Sequence, residues 1–380
     1  MFKIIFFTIF IIIFVGMNIY TYKRFLSKLS FLKAYKKAIQ YFLYLLTFVI
    51  LLFFSSKQYD IYNQKVLWVF SYAIGILFML FVVALLYDLL HTASAQVAYD
   101  KSRRKFLKIA FDVTFLILAI SYLFKGMING LKEPILRRVP VKIKNLKSNG
   151  FKIIQLSDVH VGNVIKREFV QALVQRVNDL KPDLVVITGD LIDSEIEKIK
   201  EDLEPLKNLR SKYGTYFVLG NHEYFFDPIK IIKHLKTLDI TILENESVLI
   251  EDRFNLVGVT DFIGTRMRIL EPDLPKAFKD IEKNLPTIAL AHQPKMVKEL
   301  ERYKPDLIIS GHTHGGQIFP FGLLVLLDQP YLSGLYQHNE DTQIFVSNGT
   351  GFWGPAIRLL ADSEISEIEL GSAYKSDFNI

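Results

Sequence analysis

The sequence predicts an α/β domain carried behind a membrane region of about four helices. Three observations predict it. Four apolar segments occupy the first third of the chain. The remainder alternates short apolar runs with stretches of helical apolar spacing, the pattern of strands and helices in turn. The apolar runs also end, one after another, in Asp, Asn or His, and the C-terminal ends of strands are where α/β folds gather their polar site residues.

Composition bounds the chemistry. The chain has 380 residues, enough for two or three soluble domains, but it is 51% hydrophobic with 31 Phe, and that excess sits early, pointing to membrane rather than to one large core. It contains no cysteine, which excludes disulfides and thiolate metal sites and leaves His, Asp, Glu and Asn as the only metal donors. Residues 1–130 hold 15 Lys and Arg against 4 Asp and Glu, net +11, which leaves 31 basic and 35 acidic residues in the rest, net −4. The later region is therefore mildly acidic, and no broad basic surface argues for nucleic acid.

The apolar segments run roughly Ile4–Ile19, Ala38–Phe54, Val66–Leu90 and Phe106–Phe124. Each approaches the ~20 residues that cross a ~30 Å hydrocarbon core, the first two being short. The first reads either as a signal peptide with Lys3 as a thin basic start or as an uncleaved helix. The helix is expected, because no small-x-small cleavage site follows and more spans do. Asp112 in the fourth span and Asp88 near the end of the third read as a proton or ion site, or as carboxylates that face another helix or reach an interface. The second is expected, since no Lys, Arg or His accompanies them within the spans. Lys23, Arg24, Lys28, Lys33, Lys36 and Lys37 fill the first loop without an acid. The second has Lys57 and Lys65 against Asp60, and the third has Lys101, Arg103, Arg104 and Lys105 after Asp100. The positive-inside rule makes loops one and three cytoplasmic and puts both chain ends outside. Lys125, Lys132, Arg137 and Arg138 argue the other way. Ser102-Arg103-Arg104-Lys105-Phe106-Leu107-Lys108 resembles a twin-arginine export signal and reads otherwise as a basic flank. Residues 125–137 form a linker, with an entry strand before Gly150.

From there the elements follow in order. A strand at Lys152–Leu156 ends in Ser157-Asp158-Val159-His160, and a helix at about Lys166–Leu180 stops before Pro182. The strand Leu184–Ile187 ends in Thr188-Gly189-Asp190-Leu191-Ile192-Asp193 ahead of a helix at about Ser194–Arg210. Tyr216–Leu219 ends in Gly220-Asn221-His222-Glu223, before a helix near Pro228–Leu238 and short strands to Asp261. Thr287–Leu290 ends in Ala291-His292-Gln293-Pro294. Leu307–Ile309 ends in Ser310-Gly311-His312-Thr313-His314-Gly315-Gly316-Gln317. If the backbone stays extended there, the two imidazoles point to one side. Of eight histidines, five (160, 222, 292, 312 and 314) sit at these ends, whereas His91, His234 and His338 do not share the pattern.

Several His with carboxylates and Asn suit two divalent metal ions such as Mn, Fe or Zn. One carboxylate between two donor sets can bridge two ions, and two ions ~3.5–4 Å apart clamp an in-line phosphoryl displacement and lower the pKa of a bridging water, making hydroxide available.

Asp-x-His, Gly-Asp-x-x-Asp, Gly-Asn-His-Glu, a later His and Gly-His-x-His resemble, in order, the calcineurin-like metallophosphoesterases over about residues 138–370. Within them, Gly311–Gln317 with Ile318-Phe319-Pro320, then Ser347–Pro355 and Arg358, are similar to membrane-associated bacterial phosphodiesterases of the YaeI/YkuE type. The resemblance implies a four-layer αββα sandwich over 138–380, behind a transmembrane region over 1–124, with two metals at its strand ends. It implies that Asp158, His160, Asp190 and His314 hold the first metal, that Asp190 bridges, and that Asn221, His292 and His312 complete the second. It sets His222 beside the leaving-group oxygen. Asp193 then orients that histidine, or else caps a helix. Glu223 takes a supporting hydrogen-bond role or none. Arg358 meets substrate phosphate, or makes a structural ion pair. Ser194 stands where the Ser/Thr protein phosphatases have Arg, against that activity, and Leu359–Ile365 lacks the Pro-Pro-Glu of the branch.

The expectation is a membrane-anchored dinuclear-metal phosphoesterase acting on a phosphodiester or pyrophosphate, in a phosphorylated small molecule or lipid-linked substrate. Its catalytic domain lies outside the cytoplasm, and the twin-arginine export machinery is a partner. Rivals are a membrane sensor or transporter with a phosphate-binding outer domain, disfavoured because no ligand of the set is missing, and a nuclease, disfavoured by the acidic balance.

Overall fold

The long apolar stretches of the first third have no strand-like alternation, and in hydrocarbon only an intrasegment ladder satisfies their backbone groups. They form four helices: α1 Phe2–Arg24, α2 Lys36–Tyr59, α3 Gln64–Ser94 and α4 Lys101–Gly130. The structure is a computed structural model that describes residues 2–59, 64–94, 101–146 and 149–372. The expected loop charges Asp60 and Asp100 lie outside these residues. All four helices are long and apolar enough to cross a membrane. Phe14, Met17, Leu43, Ile50, Leu77, Val83, Phe115 and Ala119 pack between them.

Asp88 and Asp112 are both paired, and the expectation that no basic residue accompanies them within the spans is corrected by Lys108. Asp112 is fully buried and accepts from the Ser30 N–H at 2.9 Å, the Ser30 hydroxyl at 3.0 Å, the Tyr87 hydroxyl at 2.8 Å and Lys108 Nζ at 2.5 Å. Lys108 lies one helical turn before it, which is where an i, i+4 partner meets it. Asp88 accepts from the Tyr20 hydroxyl at 3.0 Å and stands 3.7 Å from Arg24 and 3.5 Å from Lys28.

The expected linker at 125–137 is shorter than the sequence suggested, because α4 continues to Gly130 and the first strand opens at Ile135. Two compact units divide the chain. One is the helical region through Leu131 together with Gly354–Leu359; the other runs from Lys132 to Trp353 and resumes at Leu360.

The second unit is built from strands β1 Ile135–Ile143, β2 Phe151–Leu156, β3 Leu184–Thr188, β4 Thr215–Val218, β5 Ile240–Ile242, β6 Glu246–Ile250, β7 Phe254–Gly258, β8 Thr287–Leu290, β9 Leu307–Ser310, β10 Gly334–Gln337, β11 Gln343–Val346 and β12 Glu364–Ser372. They form two six-stranded sheets, β1-β12-β2-β3-β4-β5 and β10-β11-β9-β8-β7-β6. In the first, β2 to β5 run parallel and β12 is antiparallel to β2 but parallel to β1. In the second, β7, β8, β9 and β11 run parallel between antiparallel edges β6 and β10.

Strand periodicity explains the layering. In β3, Leu184 and Val186 point one way and Val185 and Ile187 the other, and all are buried. Leu184 and Val186 join Ile153, Val218, Phe254, Leu256, Ile288, Ile309 and Phe345 in the core between the sheets. Val185 and Ile187 meet the helices α5 Arg167–Asp179, α6 Ile196–Leu203 and α7 Pro228–Lys236, through Val170, Leu173, Ile199, Leu203, Ile231 and Leu235. On the outer face of the second sheet, Val257, Ala289, Ile308 and Ile344 pack on Leu274, Phe278, Met296, Val297 and Leu300 of short helical turns. The result is the helix–sheet–sheet–helix sandwich expected.

Candidate metal centre

Parallel strands bring their C-terminal ends to one edge of a sheet. Asp158 and His160 follow β2, Asp190 and Asp193 follow β3, and Asn221 and His222 follow β4. His292 follows β8, and His312 and His314 follow β9. The site therefore draws on both sheets. The β2 and β3 loops run alongside each other, with the Asp158 N–H donating to Gly189 O at 3.0 Å, His160 N–H to Asp190 O at 3.0 Å and Val161 N–H to Leu191 O at 2.8 Å. The backbone of His312 donates to both oxygens of Asp158 at 3.1 and 2.9 Å, and that of His222 donates to Asp190 Oδ1 at 2.8 Å.

These loops are strained where the donors sit. Asp158, His160, Asp190, His312 and His314 have φ of 54°, 55°, 50°, 71° and 51°. A Cβ disfavours that region, though Asp and His enter it more readily than most, and each such residue costs about 1–3 kcal/mol. These angles show that the backbone is not extended through His312 and His314, and the two imidazoles join different clusters, as the two donor sets implied. Gly311 and Gly220 allow the close approach. A Cβ on Gly311 would strike Ser157 Oγ and Asp158 Oδ2, and one on Gly220 would strike Asp190.

Two groups of donor atoms result: Asp158, His160 and His314, and Asp190, His292 and His312. In the first, His160 Nε2 faces His314 Nε2 at 3.1 Å, and His314 Nε2 lies 3.4 Å from Asp158 Oδ1. In the second, His292 Nε2 is 3.2 Å from Asp190 Oδ2, 3.2 Å from His312 Nδ1 and 3.1 Å from Asn221 Oδ1. Asp190 Oδ2 also stands 3.9 Å from His160 Nε2, between the groups. Donors ~2.0–2.2 Å from a shared ion lie roughly 3.0–3.4 Å apart, so these spacings fit divalent cations. His292 Nδ1 meets the Thr188 carbonyl at 2.8 Å, a contact that requires a proton on Nδ1 and leaves Nε2 as the donor atom toward the cluster.

A third group is His160, His222 and Asp193. His222 Nδ1 meets Asp193 Oδ1 at 2.9 Å, and His222 Nε2 is 4.0 Å from Asp190 Oδ2. Asp193 thus stands where it can orient His222, and the residue before α6 is Glu195.

Burial and charge set the protonation states. Burial and the neighbouring His222 hold His160 down at about 3, and burial with His292 holds His312 down at about 3, so both imidazoles are neutral donors. Burial acts to lower His222 as well, but the charges of Asp190 and Asp193 and the Asp193 hydrogen bond override it and raise it to about 9. Burial pushes Asp158 up, to about 6.

Two contributors were weakly legible. Glu223, fully buried, accepts from the backbone N–H groups of Gly220 at 2.7 Å, Asp190 at 3.0 Å and Ile192 at 3.0 Å. Ser157 donates to Asp158 Oδ2 at 2.5 Å. Their only signal is adjacency, Ser157 before Asp158 and Glu223 after His222. Arg358 is 1% exposed, its segment groups with the helices, and its backbone N–H donates to Gly126 O at 3.0 Å.

Residues 151–316 match the family described as calcineurin-like phosphoesterase. A protein of Helicobacter pylori named as an uncharacterised metallophosphoesterase is 43% identical over 294 residues, covering 77% of this chain and 79% of its own. One so named from Campylobacter jejuni is 33% identical over 369 residues, 97% of this chain and 98% of its own. A Bos taurus protein named as a transmembrane protein with a metallophosphoesterase domain is 37% identical over 292 residues, 72% of this chain and 65% of its own.

Proposed function

The chain belongs to the calcineurin-like metallophosphoesterases, hydrolases of phosphoester bonds, and we propose that it is a membrane-anchored dinuclear-metal enzyme cleaving a phosphodiester or pyrophosphate. The observation that carries this reading is Asp190, whose Oδ2 lies between two donor groups, 3.2 Å from His292 and 3.9 Å from His160. Asp158, His160 and His314 would hold one ion with Asp190, and Asn221, His292 and His312 would hold the other with the same carboxylate. Bound there, two divalent ions supply Lewis acidity to a phosphoryl group and bring the pKa of water toward neutrality.

The chain's own residues do the rest. Asp193 fixes the His222 ring through Nδ1, so Nε2 points across the site as donor to a departing oxygen. Thr188 and Ser157 fix His292 and Asp158, and Glu223 holds the Asp190 loop against the Gly220 turn. The membrane helices support a lipid-linked or envelope phosphoester as the substrate. The loop charges support an inner-membrane protein with its catalytic domain outside the cytoplasm, and Ser102–Lys108 supports delivery by the twin-arginine machinery.

The test is turnover of bis-(p-nitrophenyl) phosphate by the full chain in detergent with Mn²⁺. Asp190→Asn is expected to lose activity on the order of a thousandfold. Turnover indifferent to both metal and Asp190 would sink the reading. A reporter at the C-terminus that is active only outside the cytoplasm decides the orientation.

A further inference from the structure

The run Ile318–Leu327 holds ten residues without a charge, and it begins four residues after His314. In a water-facing domain such a run belongs in the core. Here Phe319, Phe321, Leu323, Leu324, Leu326 and Leu327 are 52, 41, 62, 57, 44 and 83% exposed. Contiguous exposed apolar surface of this kind marks a docking face.

Most of its backbone N–H groups are satisfied within the segment. The N–H groups of Phe321, Leu323, Leu324, Val325, Leu326 and Leu327 all donate to carbonyls within the segment, so entry into hydrocarbon strands none of them. Its base is fixed to the domain: Gln329, 2% exposed, accepts from the Lys295 N–H at 3.0 Å, and Lys295 pairs with Asp328 at 2.9 Å. Gly316 and Gly322 touch so closely that a Cβ on Gly316 would strike Gly322, which joins the turn to the loop of His312 and His314. Gln317 clasps Trp353 by two 2.9 Å hydrogen bonds to its backbone. The indole, half exposed, stands 6.3 Å from the His222 ring. Tryptophan favours the membrane–water boundary.

Chain length says what covers this face. Helix α4 ends at Gly130 and β1 opens at Ile135, and five residue steps span at most ~18 Å. The domain is therefore held at a bilayer surface. We propose that Ile318–Leu327 inserts into the adjacent acyl layer of that bilayer, with Trp353 at the headgroup level, so that the metal loop opens at the membrane surface. This rests on the helices and the exposed segment, and not on the phosphoesterase reaction.

The absence of cysteine allows a background-free test. Nitroxides are placed on Leu324→Cys and Leu327→Cys in the full chain in lipid nanodiscs, with Glu340→Cys as an exposed control, and relaxation by oxygen and by a water-soluble nickel chelate is compared. The oxygen-to-nickel ratio is expected about tenfold higher at 324 and 327 than at 340, as for groups buried ~5–10 Å below the boundary. A ratio equal to that of the control overturns the proposal, because the face then meets water. Protection from both reagents also overturns it, and dipolar broadening between labels would then identify a second copy as the cover. Metal-dependent turnover is not needed for either outcome, so failure here leaves the catalytic reading standing.

Discussion

Glu223 is a buried carboxylate whose partners are backbone, with Oε2 accepting from Gly220 and Asp190 and Oε1 from Ile192. It joins the turn after β4 to the loop after β3, the two stretches that carry Asn221, His222 and Asp190. Alanine leaves three buried donors without acceptors, so Glu223→Ala is expected to destabilise the fold by about 3–5 kcal/mol. Glutamine keeps one acceptor oxygen and can retain the two bonds of Oε2, so Glu223→Gln is expected to fold at a cost of about 1–2 kcal/mol. If the residue positions Asp190, the Gln variant still binds Mn²⁺ roughly tenfold more weakly by calorimetry on stripped protein. Unchanged affinity with a lowered melting temperature would make Glu223 a fold residue alone. At this scale most of the site was legible. Asp158, His160, Asp190, Asn221, His292, His312 and His314 announce themselves as metal-donor types at strand ends. Glu223 and Ser157 do not, because a group that acts through backbone N–H leaves no residue-type pattern.

Elements were legible where their pattern is local. Strands β2, β3, β4, β8 and β9 are short apolar runs closed by Gly, Pro or a polar motif, and their bounds fell within a residue or two of expectation. Strand β12 was not. Its Glu364-Ile365-Ser366-Glu367-Ile368 reads as a half-wet edge, yet all five residues are buried, because β1 and β2 flank it and Glu364 meets Arg137 at 2.5 Å. No local pattern encodes a partner so distant in sequence. Ile318–Leu327 is the opposite case, being apolar and exposed. In α4, Lys108 was taken as part of a basic flank, although the i, i+4 spacing to Asp112 pairs it. Asp112→Ala would leave Lys108, Tyr87 and Ser30 without their acceptor, and is expected to destabilise the full chain by about 3 kcal/mol in thermal melts. Adding Lys108→Leu removes the stranded charge and is expected to restore part of that loss. A double variant as unstable as the sum of its singles would show that the two groups do not interact.

Across the whole second unit, the donors come from both layers: β2, β3 and β4 of one sheet supply Asp158, His160, Asp190 and Asn221, and β8 and β9 of the other supply His292, His312 and His314. The apolar core binds the sheets along their faces, whereas at the C-terminal edge Asp158 and Asp190 of one sheet face His292, His312 and His314 of the other. Ions held there would staple one sheet to the other and help to offset the φ strain at the five donors. Ligand bound at a hundred times its Kd stabilises the folded state by about 2.7 kcal/mol. Stripping metal from the full chain with a chelator is therefore expected to lower the melting temperature and to raise amide exchange at 157–161, 189–193, 220–223 and 311–317 together. Exchange in β3 and β9, buried between layers, and in the four N-terminal helices should stay unchanged. Restoring Mn²⁺ should reverse the change in both sets of loops at one concentration if Asp190 couples the two ions, and Asp190→Asn should separate them. Loosening confined to one donor group, 157–161 with His314 or 189–193 and 220–223 with His312, would mean that a single cluster binds metal and that the carboxylate between the groups joins nothing.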